Sequence, residues 1–197
     1  GSNAGLTQLQ DTPIRMPAEF VRLYNDDPGI WQNSNISPHF PYGAQIWLAL
    51  WKNQFKQQLD GVLTFDPTAL SYLLKATGPI EVDGQIISAE NVVQVTLSDV
   101  YEKYETDNNA RKIFLINIIK AVSQKIEDKQ FSATDLLAEM IHPINQHRIL
   151  FYSVDESEQK ILERSQISGA ISNELDNQYR LIIQNTSGNK MDYYLKR

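Results

Sequence analysis

Leu59-Asp60-Gly61-Val62-Leu63-Thr64-Phe65-Asp66-Pro67-Thr68-Ala69-Leu70, continuing through Leu73-Leu74-Lys75-Ala76-Thr77-Gly78-Pro79 to Ile80-Glu81-Val82-Asp83-Gly84-Gln85-Ile86-Ile87, sets a strand, a helix and a hairpin in one run. Residues 60–65 read as a strand. Asp66-Pro67 opens a helix, because the carboxylate can accept free amides of the first turn and a proline there gives up no hydrogen bond. The helix runs to Thr77, where Gly78 suits a left-handed C-cap and Pro79 prevents continuation. Asp83-Gly84 between two short β-rich runs is a strong two-residue hairpin signal.

Working outward, Pro17 to Tyr24 reads as a short helix and 33–41 as a proline-punctuated loop. Ala44 to Lys56 is an amphipathic helix, with Trp47, Trp51 and Phe55 four apart and Ile46 and Leu50 beside them. After the hairpin, Ser88 is placed to cap a helix carrying Val93, Leu97, Val100, Tyr101 and Tyr104. Asn108 to Ile126 is apolar on most sides and reads as the central helix. Ser132 has capping-box spacing ahead of Leu136, Leu137, Met140 and Ile141, and Pro143 stops that helix. Ile149 to Ser153 is a strand and Asp155 to Glu163 a helix with acids at its positive end. Tyr179–Gln184 and Met191–Leu195 read as a closing hairpin.

These elements predict an α/β fold: a mixed central sheet built from the Asp60, Ile80, Gln85 and Ile149 segments, with helices packed on it. Residues 1–4 read as the remnant of a cleaved expression tag, 5–34 as an N-terminal helix and loop, 35–175 as the main domain, and 176–197 as the C-terminal β-hairpin, an edge addition or the start of a further module. The tag remnant leaves room for an anchor ahead of residue 5. Any membrane attachment is expected through a segment outside this sequence, since the longest apolar run, Ile46 to Trp51, is far below the roughly 18 to 20 residues of a span.

The chain has 197 residues, 18 Lys and Arg against 24 Asp and Glu, a net charge of −6 and no cysteine. A chain this long buries about 70% of its unfolded surface without staples. Thiolate zinc sites, disulfides and cysteine nucleophiles are excluded, while the compartment stays open because exported proteins also lack disulfides. No basic run offers a nucleic-acid groove, so no nucleic-acid partner is expected. There is no phosphate loop, serine elbow, zinc-protease motif or dinucleotide fingerprint. His142 and His147 lie five apart across Pro143, so no metal site is assigned. His39, in a loop before a helix, reads as solvent-facing.

Three places could carry binding. Asp66 sits where a strand meets a helix, a position that either caps the helix or faces a ligand crevice. Trp47, Trp51 and Phe55 form a stripe that either packs the core or lines an apolar groove for a lipid tail. Between Tyr101 and Lys112 the local charge reverses: Lys103, Asp107, Arg111 and Lys112 gather at a break between helices. Cations in a first helical turn oppose the helix dipole, so either Asp107 pairs with Arg111 or a bound phosphate relieves the conflict.

Asn35-Ile36-Ser37-Pro38-His39-Phe40-Pro41-Tyr42-Gly43-Ala44, the Asp60-Gly61-Val62 and Thr77-Gly78-Pro79 segments, Tyr152-Ser153 with Gln159, and Asn189 to Leu195 resemble the bacterial family known as domain of unknown function 4012, from about Asp27 to Leu195. His39 stands where that family has an acidic residue. More distantly, residues 35–128 are similar to the LytR-CpsA-Psr family, whose members move glycopolymers from a polyprenyl pyrophosphate carrier to the cell wall. Asn108 and Arg111 match that family's Asp-x-x-Arg step. Phe114 and Leu115 stand where arginine and glutamine are expected, and Lys103 where arginine is usual.

The resemblance implies a LytR-CpsA-Psr-like sandwich and an extracytoplasmic cell-envelope domain, membrane-anchored in the full-length protein. It implies binding of an anionic or glycan-linked, polyprenyl-phosphate-like ligand or cell-wall polymer, with Lys103, Asp107, Arg111, Lys112 and Asp66 as candidate ligand residues and Trp47, Trp51 and Phe55 as the apolar groove. The alternatives are an active phosphoglycan transferase or pyrophosphatase using Lys103, Asp107 and Arg111, with magnesium as its cofactor, and a structural interaction module of the envelope.

Overall fold

The computed structural model describes residues 14–24, 31, 34–129 and 131–171. The closing hairpin expected over 176–197 lies outside them. In chain order the elements are helices α1 (Ala18–Tyr24) and α2 (Phe40–Phe55), strand β1 (Gly61–Phe65), helix α3 (Pro67–Thr77), strands β2 (Ile80–Val82) and β3 (Gln85–Ile87), helices α4 (Val92–Gln94), α5 (Val100–Lys103), α6 (Asn108–Glu127) and α7 (Ala133–Asn145), strand β4 (Ile149–Ser153) and helix α8 (Glu156–Leu162). The fold is mixed α/β and mostly helical, with two small antiparallel sheets.

The four expected strand segments do not join in one central sheet. β1 pairs with β4, and β2 pairs with β3. The first ribbon is bracketed by Val154 N–H donating to the Asp60 carbonyl (2.8 Å) and Asp66 N–H donating to the Arg148 carbonyl (3.2 Å). The second has the register Ile80↔Ile87, Glu81↔Ile86, Val82↔Gln85. Its turn takes positive φ at both Asp83 (51°) and Gly84 (76°), as the sequence pair predicts. Strand alternation states which face is buried, but it leaves open which edge pairs with which. Here Ile80, Val82 and Ile87 turn inward and the two three-residue strands satisfy each other.

The chain divides into two compact units, one covering Phe65–Ile149 and the other covering residues before and after it. In the Phe65–Ile149 unit, Leu70 and Leu74 of α3, the hairpin's inner residues, Val92, Val95 and Val100, and Phe114, Ile118 and Val122 of α6 form the core. In the other unit, Phe20 of α1 packs with Ile46 and Leu50 of α2, rimmed by Tyr24, Trp31, Ile36 and Tyr42.

Several boundaries differ from the sequence reading, each for a local reason. α2 starts at Phe40, four residues early, because Pro41 supplies a preset φ in the first turn. Gly78 ends α3 with φ 82° but ψ 172°, an extended mirror conformation open to glycine rather than the left-handed cap, and its N–H donates to the Leu74 carbonyl. Ser88 does not cap a helix: its N–H donates to Asn91 Oδ1 (2.9 Å), and its hydroxyl to Glu90. Between α4 and α5 the residues Val95–Asp99 form a π turn, where the Thr96 hydroxyl bonds the Val92 carbonyl at 2.7 Å. Pro143 lies inside α7, which continues to Asn145. It forfeits one ladder bond, and the end is closed by Gln146 N–H on the His142 carbonyl and His147 N–H on that of Ile144.

Candidate functional site

The residues of the charge cluster expected at the α5–α6 break do different work. α6 begins at Asn108 because Asp107 Oδ1 accepts the amides of Asn109 (3.0 Å) and Ala110 (2.9 Å). A carboxylate spent on these otherwise orphaned donors also meets the positive end of a 20-residue helix. Asp107 is therefore a cap, and the Asp107–Arg111 salt bridge left open by the sequence is not formed. Lys75 pairs with Glu139 and Arg148 with Asp66.

Arg111 is only 8% exposed, in the first turn of α6. One of its terminal nitrogens donates to Asn108 Oδ1 three residues back, and its guanidinium carbon lies 4.4 Å from the Tyr101 ring centroid. Stacking on an aromatic face leaves a guanidinium's edge donors available for an oxyanion. The sequence places Tyr101 both in this cluster and on the helix face with Val93, Leu97, Val100 and Tyr104. In the structure it follows the π turn and lies in the first turn of α5, under Arg111.

Lys103 ends α5 and is exposed. Its ammonium lies 5.3 Å from the Tyr104 ring and 5.2 Å from the Phe114 ring, so the helix α6 position expected to carry a second arginine instead supplies an aromatic seat for a lysine. Lys112 is exposed on α6. The structure thus brings Lys103 and Arg111 to the same pair of elements, each over an aromatic ring.

Asp66 belongs to another feature of the same unit. Its Oδ1 accepts the Ala69 amide at 2.7 Å, and its Oδ2 meets Arg148 Nη1 at 2.5 Å. The carboxylate has both oxygens engaged, which favours the capping role over a free ligand-facing one. Arg148, 82 residues away, carried no signal in the sequence.

The aromatic stripe lies in the other unit and leaves the interior as it runs. Trp47 is half-buried, donates from Nε1 to Ser34 Oγ at 2.5 Å and meets Phe40 edge-on; the rings of Trp51 and Phe55 lie 4.2 Å apart with a 41° tilt, and Phe55 is 49% exposed. The face of α2 that packs is Phe40, Gly43, Ala44, Ile46 and Leu50.

His39, expected to face solvent, is half-buried instead. Its Nδ1 accepts the Ile171 amide at 2.9 Å and its ring centre is 4.4 Å from that of Tyr42. Burial holds its pKa below the ordinary histidine value, against the opposing pull of Glu163 and Glu19. Ser153 is buried: its N–H donates to Gln159 Oε1 (3.0 Å) and its hydroxyl to Glu158 Oε2 (2.7 Å). The Tyr152-Ser153 and Gln159 pairing noted in the sequence is thus a lock between β4 and α8.

Fold and site together define a mixed α/β protein of short antiparallel ribbons and helices, carrying a sheltered arginine in the first turn of α6. Residues 1–101 match the family described as "Protein of unknown function (DUF4012)", and the chain belongs to that family. The matched region contains Asp66 and the aromatic stripe and stops ten residues short of Arg111. No curated protein and no solved structure matches the chain.

Proposed function

We propose that the protein is an extracytoplasmic cell-envelope domain that binds an anionic, polyprenyl-phosphate-like ligand at the α5–α6 break. The observation that carries this reading is Arg111, a 92% buried cation that pairs with no carboxylate among the described residues. Burying a charge without an opposite one is costly, and a helix N-terminus with a stacked guanidinium recovers that free energy when an oxyanion arrives. Lys103, seated over Phe114, supplies a second positive charge from the neighbouring element. The order of α2, β1, the Asp66-capped α3, the β2–β3 hairpin and the Asn108-x-x-Arg111 helix supports the distant likeness to the LytR-CpsA-Psr family, from which the envelope location is taken.

Binding is favoured over turnover. Asp107 is committed to α6 amides and Arg111 to Asn108, so the magnesium-dependent transferase variant of this reading would have to free both. The exposed Phe55 against Trp51 supports a second reading, a protein-interaction module of the envelope.

Thermal unfolding with geranylgeranyl pyrophosphate separates these readings. A ligand at about 100 times its Kd adds about 2.7 kcal/mol of stability. The Tm should rise for the natural chain and stay unchanged for Arg111→Met, which keeps the contact with Tyr101 but not the charge. A rise of equal size in Arg111→Met, or no rise at millimolar ligand, overturns the proposal. Magnesium-dependent phosphate release would instead establish the transferase reading.

A further inference from the structure

α2 starts without a side-chain cap: its N-cap residue is His39, whose ring accepts none of the first-turn amides. The orphaned Phe40 amide donates instead to the Gly169 carbonyl at 3.1 Å. That carbonyl belongs to a strap that runs from the tight turn Gln166–Ser168 to Ile171. The cap residue returns the contact, since His39 Nδ1 accepts the Ile171 amide at 2.9 Å. The strap therefore caps the helix, and the helix's cap residue fastens the strap. The fit is close: Ser168 is buried, and a Cβ on Gly169 (φ 56°) would lie 2.8 Å from Phe40 Cβ and 3.0 Å from Leu150 Cδ2.

We infer that Gln166–Ile171 is a pH-gated strap, fastened to the start of α2 while His39 is neutral and released when His39 takes a proton. An imidazolium has no lone pair on Nδ1, so protonation removes the acceptor and sets an N–H against the Ile171 amide. Burial of the ring disfavours the charge and holds the pKa below the ordinary histidine value, while Glu163, just past α8, and Glu19 of α1 favour the charge. Tyr42, 4.4 Å away between ring centres, is kept neutral by burial and by Glu19. Residues 34–38 and the strap itself carry no titratable side chain, and β4 meets the strap through Leu150. Two sets of partners thus compete for one ring, the Ile171 amide for its neutral form and two carboxylates for its cation. Opening the strap gives up the Phe40 and Ile171 amide bonds and leaves the Phe20, Ile46 and Leu50 core in place, so it costs less than unfolding. Fastening is complete above the free-histidine value of about 6.5 and is lost as pH falls from there through the lowered value.

Hydrogen exchange of the full chain, read by mass spectrometry and corrected for the intrinsic pH dependence of exchange, tests the inference. From about pH 7.5 to about pH 5.5, peptides covering 38–43 and 166–171 should lose protection several-fold more than peptides from α6. His39→Asn keeps an acceptor oxygen that does not titrate, so the strap should stay fastened at both pH values; His39→Ala should leave it open at both. Glu19→Gln with Glu163→Gln removes the charges that favour the cation and should move the release to lower pH. No extra loss of protection over the strap in the natural chain overturns the inference, as does an equal loss in α6. The same loss in His39→Asn, or a release at unchanged pH in the double glutamine variant, overturns it as well.

Discussion

Arg148 and Asp66 hold the two ends of the Phe65–Ile149 unit together. The Arg148 Nη1 lies 2.5 Å from Asp66 Oδ2, and the Asp66 amide donates to the Arg148 carbonyl at 3.2 Å. The other oxygen of the same carboxylate caps α3 through Ala69. One side chain thus starts a helix and closes a loop of more than eighty residues. The contact adds to the β1–β4 pairing, which brings the same two ends together.

The two roles of Asp66 are separable by substitution. Asp66→Asn keeps a capping oxygen and loses the ion pair, which is partly exposed and so contributes about 0.5 kcal/mol. Asp66→Ala loses the cap as well and should cost about 1.5 kcal/mol in all. Urea unfolding of these variants, alone and with Arg148→Ala, gives the coupling directly. An Asp66→Asn loss as large as that of Asp66→Ala would show that the cap contributes nothing.

Asp107 gives a parallel case at the candidate site. As the N-cap of α6 it should tolerate Asp107→Asn within a few tenths of a kcal/mol, whereas Asp107→Ala should cost about 1 kcal/mol. Ligand protection should persist in Asp107→Asn. Loss of protection in that variant with unchanged stability would move Asp107 from a capping to a ligand-binding role.

The elements legible in the sequence are those whose signals are local. Asp66-Pro67, Asp83-Gly84 and Asp155 each act within four residues and do in the structure what their spacing predicts, and Ser132 caps α7 by accepting the Asp135 amide, one half of a capping box. What the sequence left open was decided by competition or by distance. At Asp107 the amides of α6 outcompeted Arg111 for the carboxylate, and the arginine turned to Asn108 and Tyr101. The i, i+4, i+8 aromatic stripe marks a flank of α2, because burial at its start surrounds the helix and at its end covers only the Leu50 side. The β1–β4 pairing joins segments more than eighty residues apart, and nothing in either strand names its partner.

Gly61, in the Asp60-Gly61-Val62 segment, has a steric requirement. A Cβ at this position would lie 2.5 Å from the Tyr152 carbonyl oxygen and 3.4 Å from the Phe151 ring. Gly61→Ala must therefore push β1 and β4 apart, with an expected loss of about 1 to 3 kcal/mol. Gly84→Ala is the control, since nothing lies within 4 Å there and only its positive φ opposes the change. Equal losses at the two positions, measured by denaturant midpoint, would remove the close approach as the reason for glycine in this segment.

His39 makes stability depend on pH in a window of its own. Its Nδ1 accepts the Ile171 amide, which requires the neutral ring with the proton on Nε2, and burial lowers its pKa despite Glu163 and Glu19. A group held neutral in the folded state binds fewer protons there than in the unfolded chain. Its contribution is complete above the unfolded value of about 6.5 and is lost progressively as pH falls from there through the lowered folded value. Asp155 is also held below its ordinary range, by the Ser157 hydroxyl and then the Glu158 amide, but its contribution is lost only in the acid carboxylate range, so the two windows do not overlap. His39→Asn places an acceptor oxygen near the Nδ1 position and does not titrate. The natural chain should lose denaturant resistance between pH 7 and pH 5, and His39→Asn should lose much less. Parallel pH profiles for the two proteins would assign the loss to other groups and leave the His39–Ile171 contact without a role in it.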